Sequence, residues 1–193
     1  MKIVLGSSNP HKVKEINEIV ASVSNGNKIE FILPPDGFDP DETGTTFAEN
    51  SLIKAKAAWE LSHNWSLADD SGLCIDALGG NPGIYSARYA ETAQKRIERV
   101  LRELNGVENR NANFICCMTL INPQGEVVLA CEGICEGKII NEAKGANGFG
   151  YDPIFLPNGY NKTIAELPED EKNRISHRSK ALIKVIEFLK ANY

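Results

Sequence analysis

Two adjacent carboxylates, Asp69 and Asp70, close an apolar stretch and are followed directly by Ser71 and Gly72. Neighbouring residues of a strand point to opposite faces, so one carboxylate can bind a metal ion while the other orients water or a structural partner. A hard cation such as Mg²⁺ uses one or two carboxylates together with the phosphate oxygens of a substrate. The pair therefore predicts a metal-dependent phosphate site, with a solvated Asp-Ser-Gly turn as the alternative.

A second group of acids precedes an Ala-rich stretch with helical spacing. In segment 39–50, Glu42 is a candidate second metal ligand, and Lys54 in the following helix is a candidate phosphate contact. The alternative is an acidic loop that is simply solvated. Thr46 and Glu49 have the spacing of a capping box, which gives those two residues a structural role at the helix start. The segment supports a metal site only in combination with the paired aspartates.

The segment 6–12, Gly-Ser-Ser-Asn-Pro-His-Lys, joins a predicted strand to a helix start. Free backbone N–H groups and the positive end of the helix dipole lie at such a start, and Lys12 adds a full charge, so the segment predicts a phosphate cradle. It differs from a P-loop, because His11 stands where the second glycine belongs and Val13 follows the lysine in place of Ser or Thr. The alternative is an ordinary helix start, capped by Asn9 and followed by proline.

Two later segments combine aromatic or cationic side chains with turn residues. Phe149 and Tyr151 alternate with glycines in segment 145–153. This pattern favours a platform on which a flat base stacks, worth about 1–3 kcal/mol per stack, and the alternative is a turn with both aromatics directed inward. In segment 171–180, four cationic residues and His177 cluster before the final helix. They form either a solvated helix start or a set of donors for a base or a phosphate.

The periodicity of apolar residues predicts alternating strands and helices, followed by a hairpin. Strands are predicted over 2–6, 28–33, 66–70, 72–78, 112–121 and 126–135, and helices over 11–23, 45–61, 91–104 and 179–191. That order predicts an α/β protein with a mixed sheet. The chain has 193 residues, no internal repeat and no linker-like stretch, so it is expected to form a single domain over 1–193.

The composition excludes several classes of protein. The chain is 42% hydrophobic and 24% charged, with a formal net charge of −5, so neither a disordered chain nor a basic nucleic-acid-binding surface is expected. No apolar run approaches the roughly 18 residues that span a bilayer, so a membrane partner is not expected. The short apolar start is typical of a strand rather than a signal peptide. The five cysteines include no Cys-x-x-Cys pair, so they are expected to be thiols in the core rather than disulfides or metal ligands. These features predict a cytoplasmic protein.

Taken together, six segments resemble the inosine triphosphate pyrophosphatase family, and the resemblance covers essentially the whole chain. The segments are 7–12, 42–50, 68–73, 83–89, 149–152 and 176–182. The resemblance implies an elongated mixed sheet flanked by helices, with a central nucleotide cleft between two lobes. It also implies Mg²⁺-dependent hydrolysis of non-standard purine nucleoside triphosphates (ITP, dITP and XTP) to the monophosphate and pyrophosphate, by a homodimer.

The resemblance further implies a role for each matching residue. The residues implied to hold the phosphates are Ser7, Ser8, Asn9, Pro10, His11 and Lys12, although many members have a small residue in place of His11. The implied metal ligands are Glu42 and Asp70, the implied catalytic residues are Asp70, Asp69 and Lys54, and the implied substrate contact beside them is Ser71. The residues implied to surround the base are Phe149, Gly150, Tyr151, Asp152, Lys172, His177 and Arg178. Asp70 is the implied proton acceptor for the attacking water, and which aspartate takes the proton stays open.

Two other functions are consistent with parts of the pattern. A nucleotide-binding regulator would keep the base pocket and lose the carboxylates, yet Glu42, Asp69 and Asp70 are all present. A pyrophosphatase of pyrimidine or methylated nucleotides is disfavoured by the segment 149–152 together with the His-Arg pair at 177–178. Hydrolysis of purine triphosphates is therefore the favoured interpretation.

Overall fold

A single mixed sheet organises the fold. The computed structural model describes residues 1–23 and 29–193, apart from the side chains of Pro10, His11, Ser22 and Val23. The strands of this part of the chain are β1 (Lys2–Leu5), β2 (Glu30–Ile32), β3 (Ser66–Ile75), β4 (Asn111–Ile121), β5 (Val127–Ile139) and β6 (Phe155–Pro157). Their order in the sheet is β2-β1-β3-β4-β5-β6. β1 runs parallel to both β2 and β3, whereas β5 and β6 are antiparallel, so the predicted mixed sheet is confirmed.

Helices connect the strands and close the chain. They are α1 (Pro10–Val23), α2 (Phe47–Ser62), α3 (Ala93–Glu103), α4 (Glu169–Ile175) and α5 (His177–Asn192). Short 3-10 turns cover Asp76–Leu78, Gly83–Arg88, Asp152–Ile154 and Ile164–Glu166. The final helix begins two residues earlier than predicted, so His177 and Arg178 lie in its first turn, and α4 was not predicted. In the part of the chain that the structure describes, no helix is both long enough and apolar enough to span a membrane.

One predicted pair of strands is wrong. The sequence predicts a strand over 66–70 and a returning strand over 72–78, but β3 runs without interruption from Ser66 to Ile75. The strand is buried along most of its length, and the two aspartates in its middle have charged partners, described below. Because those partners compensate the buried carboxylates, the strand does not need to end where they stand. The predicted strand over 28–33 also begins outside the described residues, and β2 covers only its middle.

The chain forms two compact units, each with its own apolar core. The first unit comprises Met1–Asp70, Cys116–Gly133 and Arg178–Tyr193, and the second comprises Ser71–Ile115 and Ile134–His177. Buried residues of the first core include Ile3, Leu5, Ile16, Ile19, Phe31, Leu67, Met118, Leu182 and Val185. Buried residues of the second core include Leu73, Ile75, Val100, Leu104, Phe114, Ile154 and Phe155. A single domain over 1–193 and a central nucleotide cleft stay predictions.

Candidate active site

Lys12, Asp69, Arg178 and Glu15 form a buried charge network in the first unit. Lys12 Nζ lies 2.9 Å from Asp69 Oδ1, and Arg178 Nη2 lies 3.4 Å from Asp69 Oδ2. The other end of the guanidinium, Nη1, lies 3.2 Å from Glu15 Oε2. Asp69 and Arg178 are almost completely buried. Two cations and two carboxylates therefore compensate one another around the almost completely buried Asp69 and Arg178, as buried charges require, while Lys12 stays partly exposed.

Asp70 points to the other face of β3, where it meets residues of α2 and of the acidic loop. Lys54 Nζ lies 2.8 Å from Asp70 Oδ1 and 3.2 Å from Glu42 Oε1. Asn50 Nδ2 donates to Asp70 Oδ2 over 3.3 Å. One ammonium therefore lies between the two carboxylates that the sequence predicts as metal ligands. Ser71, the next residue of β3, is half-buried.

The start of α2 explains how Asn50 and Lys54 come to face Asp70 together. Thr46 caps the helix, with its hydroxyl accepting from the Glu49 N–H at 3.1 Å. The Glu49 carboxylate accepts from the backbone N–H and the hydroxyl of Thr45, and the Thr46–Glu49 bond of the predicted capping box is formed. Asn50 and Lys54 are four residues apart and therefore lie on one face of the helix.

The end of β1 lies directly against this part of α2. A Cβ atom at Gly6 would lie 2.8 Å from the Ala68 Cβ and 2.9 Å from the Lys54 carbonyl oxygen. A real Cβ atom does not approach its neighbours so closely, so a residue other than glycine at position 6 would push the end of β1 away from α2 and β3. Segment 6–12, which follows β1, lies in the same unit as the paired aspartates.

Segment 6–12, which is predicted to hold phosphate, forms a tight turn into α1. Ser7 Oγ accepts from the Asn9 N–H at 3.2 Å, and Ser8 is exposed. The side chains of Pro10 and His11, both predicted to contact phosphate, lie outside the described residues. At the end of the segment the Lys12 ammonium is directed at Asp69, which fixes its position.

The two aspartates differ in proton affinity. Burial alone raises the pKa of Asp69, but the charges of Lys12 and Arg178 outweigh it and hold this pKa well below its usual range. Burial is also the largest influence on Asp70, and it raises the pKa of that carboxyl because Lys54 offsets it only in part. The pKa of Lys54 is raised, since the charges of the two aspartates outweigh the effect of burial. Asp70 is therefore the stronger proton acceptor of the pair.

The second unit carries a separate cluster of Phe149, Asp152 and Lys172. Lys172 Nζ lies 2.8 Å from Asp152 Oδ2 and 4.6 Å from the centroid of the Phe149 ring. The Phe149 backbone N–H donates to the same carboxylate oxygen over 2.9 Å. Phe149 nevertheless remains 59% exposed. The ion pair therefore holds an aromatic ring that is accessible to a planar ligand.

Tyr151 and His177 are placed differently from Phe149. Gly150, with a φ of +63°, reverses the chain between the two aromatics, a conformation that favours glycine. Tyr151 points inward, is 4% exposed, and donates its hydroxyl to the Ser86 carbonyl over 2.8 Å. The His177 ring stacks on the Phe114 ring, with centroids 4.9 Å apart. A platform of two exposed rings is therefore not formed, and substrate contacts of Tyr151 and His177 stay predictions.

Glu42 and Asp70 are the residues that could hold a metal ion. Among residues 1–23 and 29–193, no group of three or more His, Cys, Asp or Glu side chains is arranged for a metal ion. Mg²⁺ nevertheless often binds to only one or two protein carboxylates, and the phosphate oxygens of a substrate complete its coordination shell. The Lys54 ammonium shows that a positive charge is accommodated between these carboxylates. The donor set therefore fits a hard divalent cation that binds together with a nucleotide.

Sequence reasoning missed two residues of these clusters, Asn50 and Glu15. Asn50 precedes Lys54 by one helical turn, and Glu15 follows Lys12 by three residues. Residues at those spacings share a helix face, so a search for polar residues one turn away from each site lysine would have found both.

The chain is similar over nearly its whole length to proteins of one family. The sequence model of the Ham1 family matches residues 3–188. A protein of Treponema denticola named dITP/XTP pyrophosphatase is 44% identical, with 100% of both chains covered. A protein of the same name from Gloeobacter violaceus is 46% identical, over 95% of this chain and 92% of the relative.

Solved structures share the fold. A HAM1 protein from Coxiella burnetii superposes with a TM-score of 0.88 at 41% identity, over 99% of both chains. The Ham1 protein of Staphylococcus aureus superposes with a TM-score of 0.89 at 36% identity, over 100% of both chains. The predicted α/β fold is thus confirmed. Because sequence and fold agree over nearly the whole length, the chain belongs to the Ham1 family.

Proposed function

We propose that this protein is a nucleoside-triphosphate pyrophosphatase that hydrolyses non-standard purine nucleoside triphosphates (ITP, dITP and XTP) to the monophosphate and pyrophosphate. Its relatives in Treponema denticola and Gloeobacter violaceus are named dITP/XTP pyrophosphatase. The observation that carries the proposal is the pair of carboxylates, Glu42 and Asp70, that share the ammonium of Lys54. Such a site suits a substrate that brings both negative charge and a metal ion.

The proposed metal ion is Mg²⁺, held by Glu42 and Asp70. Bound there, it would neutralise charge on the phosphate oxygens and on the departing pyrophosphate. With that charge in place, the Lys54 ammonium, which now lies between the carboxylates, would be available to a phosphate. Positioning and electrostatic stabilisation account for most of the catalysis in such a site.

Asp70 is proposed to accept the proton of the attacking water. The water oxygen attacks the α-phosphorus, the bond from that phosphorus to the bridging oxygen breaks, and pyrophosphate leaves. The raised pKa of Asp70 supports this role, because a base needs affinity for the proton that it takes. Asp69 has too low a pKa to act as the base and is proposed to hold Lys12 in place.

The segment 7–12 is proposed to bind the triphosphate. Lys12 supplies a point charge, while the hydroxyls of Ser7 and Ser8, the Asn9 amide and the backbone N–H groups at the start of α1 supply donors. Pro10 and His11 belong to this segment, and Ser71 is proposed to contact the substrate beside Asp70.

The residues of the second unit are proposed to bind the base. Phe149 offers the exposed ring for stacking, and Lys172 and Asp152 hold that ring through the ion pair described above. Gly150 and Tyr151 are proposed to fix the conformation of the segment that carries Phe149. Gly150 does so through its positive φ, and Tyr151 through the hydrogen bond from its hydroxyl to the Ser86 carbonyl.

Two residues at the start of α5 complete the proposed base contacts. His177 is proposed to pack against the base and Arg178 to read purine position 6. A guanidinium donates and never accepts, so it bonds a 6-oxo group and opposes a 6-amino group. Its present partners, Asp69 and Glu15, fix where the guanidinium lies.

We also propose that the protein is a cytoplasmic homodimer built from one domain per chain, which does not act on nucleic-acid polymers or membranes. Light scattering after gel filtration tests the dimer directly. A monomer at micromolar concentration would contradict it.

The proposed activity is tested by measuring pyrophosphate release from ITP, dITP, XTP, GTP and ATP, each with Mg²⁺ and with a chelator. Release is expected from the first three substrates and only with the metal ion. Chromatography should show the monophosphate as the second product. Release of single phosphate with formation of a diphosphate, or a preference for ATP, would contradict the proposal.

A further inference from the structure

We propose that Asn50 is a positioning residue that sets the geometry between the Asp70 carboxylate and the loop that carries Glu42. The inference rests on the proposed function. Asn50 is completely buried, and its amide makes two bonds: Oδ1 accepts from the Gly44 N–H over 2.9 Å, and Nδ2 donates to Asp70 Oδ2 over 3.3 Å. A single side chain therefore joins the metal-site loop to the metal-site strand.

The chemistry of an amide explains why asparagine stands here. A backbone N–H needs an acceptor, and a carboxylate needs a donor, so the side chain must present both from one short stem. Aspartate supplies only the acceptor and would oppose Asp70 with a second negative charge. Glutamine carries the same groups on a longer stem and cannot keep both distances within the same buried space.

The loop is fitted closely around this amide. A Cβ atom at Gly44 would lie 2.6 Å from Asn50 Oδ1 and 2.7 Å from the Glu49 Cβ, so the loop backbone rests directly on the side chain. Two residues before that contact stands Glu42. Any displacement of Asn50 therefore moves the loop relative to Asp70.

Asn50 and Lys54 divide the two oxygens of Asp70 between them. Lys54 binds Oδ1 and also reaches Glu42, whereas Asn50 binds Oδ2 and also reaches Gly44. The two bridges are parallel, but they differ in charge. If Lys54 turned to a phosphate, the neutral amide would remain as a contact that holds the Asp70 carboxylate in place.

The test compares Asn50→Ala and Asn50→Asp with a neighbouring control, Ser51→Ala. Ser51 is also buried in α2, where its hydroxyl bonds the Ala48 carbonyl and the Thr119 hydroxyl, and it lies outside the proposed site. Substitution of residues that orient metal ligands commonly costs about 10–100-fold in activity or metal affinity. We expect both Asn50 variants to lose about 10–100-fold in kcat, with KM for ITP changed less than about threefold. Ser51→Ala should keep kcat within about threefold while losing thermal stability.

Asn50→Asp keeps the acceptor for the Gly44 N–H, but it loses the donor to Asp70 and adds a negative charge beside it. Asn50→Ala removes the donor without adding charge, and the thermal stability of both variants is compared with that of Ser51→Ala to separate positioning from folding. A second readout is direct binding of Mn²⁺, followed by electron paramagnetic resonance with and without an α,β-methylene analogue of ITP. Weaker Mn²⁺ binding is expected for Asn50→Ala than for the wild type. Variants of Asn50 that match Ser51→Ala in both kcat and Mn²⁺ binding would overturn the proposal. A wild-type protein that releases no pyrophosphate would instead refute the proposed function, and the Mn²⁺ measurement would still decide the role of Asn50.

Discussion

The two faces of strand β3 carry neighbouring carboxylates in opposite electrostatic surroundings. Asp69 lies between two cations, Lys12 and Arg178, and Glu15 completes a network with as many positive as negative groups. In the part of the chain that the structure describes, Asp70 has ion pairs with a single cation, Lys54, which it shares with Glu42. The carboxylates on the Asp69 face are therefore balanced by the cations paired with them. On the Asp70 face, two carboxylates share one cation.

One strand therefore carries two neighbouring aspartates that differ in proton affinity. Both aspartates are buried, so burial alone would raise both pKa values. The charges of Lys12, Arg178 and Lys54 outweigh burial at Asp69 and keep its pKa low. At Asp70, burial and the charge of Glu42 outweigh Lys54 and raise the pKa. The charge missing beside Asp70 is the charge that a substrate-borne metal ion would supply.

The largest expected effect comes from neutralising the uncompensated face. Asp70→Asn should lower kcat for ITP by about 1,000-fold or more, about 4 kcal/mol in the activation barrier, because an amide neither accepts the proton nor binds the metal ion as well. Pyrophosphate release measures the loss, and Asp76→Asn, at an exposed carboxylate beyond the end of β3, is the matched control. Retention of more than about a tenth of kcat would contradict the assignment of Asp70.

The Asp69 face should respond in stability rather than in chemistry. Asp69→Asn removes the carboxylate that pairs with both Lys12 and Arg178, while Arg178 keeps its contact with Glu15. Removing one member of a buried ion pair costs about 3–5 kcal/mol. We expect a loss near the lower limit, because Lys12 is partly exposed and can turn toward water. Asp70→Asn should change the free energy of unfolding by less than about 1 kcal/mol, since its ionised carboxylate is already disfavoured by burial. Urea denaturation measures both, and equal losses would remove the contrast between the two faces.

Sequence reasoning found most members of these clusters but not their partners. The paired aspartates were recognised because adjacent carboxylates that close an apolar stretch are hard to explain by packing. Glu42 and Lys54 were recognised only in combination with that pair. Asp69 bonds Lys12 from 57 residues away and Arg178 from 109 residues away, and no local pattern encodes such contacts. The sequence therefore left open which aspartate takes the proton.

The same limit applies to the elements. The mixed sheet, the hairpin and the long helices followed from apolar periodicity, but the continuity of β3 did not, because Ser71 and Gly72 are typical turn residues. Tyr151 and Phe149 stand two residues apart between glycines, and only tertiary packing decides that the first is buried and the second exposed. The local sequence pattern thus predicts which functional side chains are present. Packing within each unit determines which of those side chains are buried and which are exposed.

Arg178 tests whether the compensated face also contributes to base selection. Arg178→Ala should reduce the ratio of kcat/KM for ITP to that for ATP by about 100-fold, because sites built around a specific hydrogen bond discriminate by large factors. The ratio is the useful readout, since the substitution also removes a partner of Asp69 and Glu15 and so lowers stability for both substrates alike. Arg174→Ala, at an exposed position in α4, is the control. An unchanged ratio would mean that Arg178 acts only within the charge network.

Lys12 belongs to the Asp69 network but is proposed to serve the triphosphate. Lys12→Ala should weaken ITP binding by about 10–100-fold, the range of about 1.5–3 kcal/mol for a hydrogen bond to a charged group, and should weaken inosine binding much less. Calorimetric titration of the two ligands gives the comparison. Lys14→Ala, an exposed lysine of α1 paired with Glu18, should affect neither ligand. Equal losses for ITP and inosine would show that Lys12 does not contact the phosphates.

The smallest effect is expected at Glu15, the end of the network farthest from Asp69. Glu15→Gln should lower the free energy of unfolding by about 1 kcal/mol, because Arg178 keeps its contact with Asp69 and a neutral amide can still accept from the guanidinium. The matched control is Glu18→Gln on the same helix, where an exposed pair with Lys14 at 3.6 Å contributes about 0–0.5 kcal/mol. Chemical denaturation of both variants measures the difference. If Glu15→Gln were as destabilising as Asp69→Asn, Glu15 rather than Asp69 would be the main counter-charge of Arg178, and the compensation of the Asp69 face would depend on α1 instead of β3.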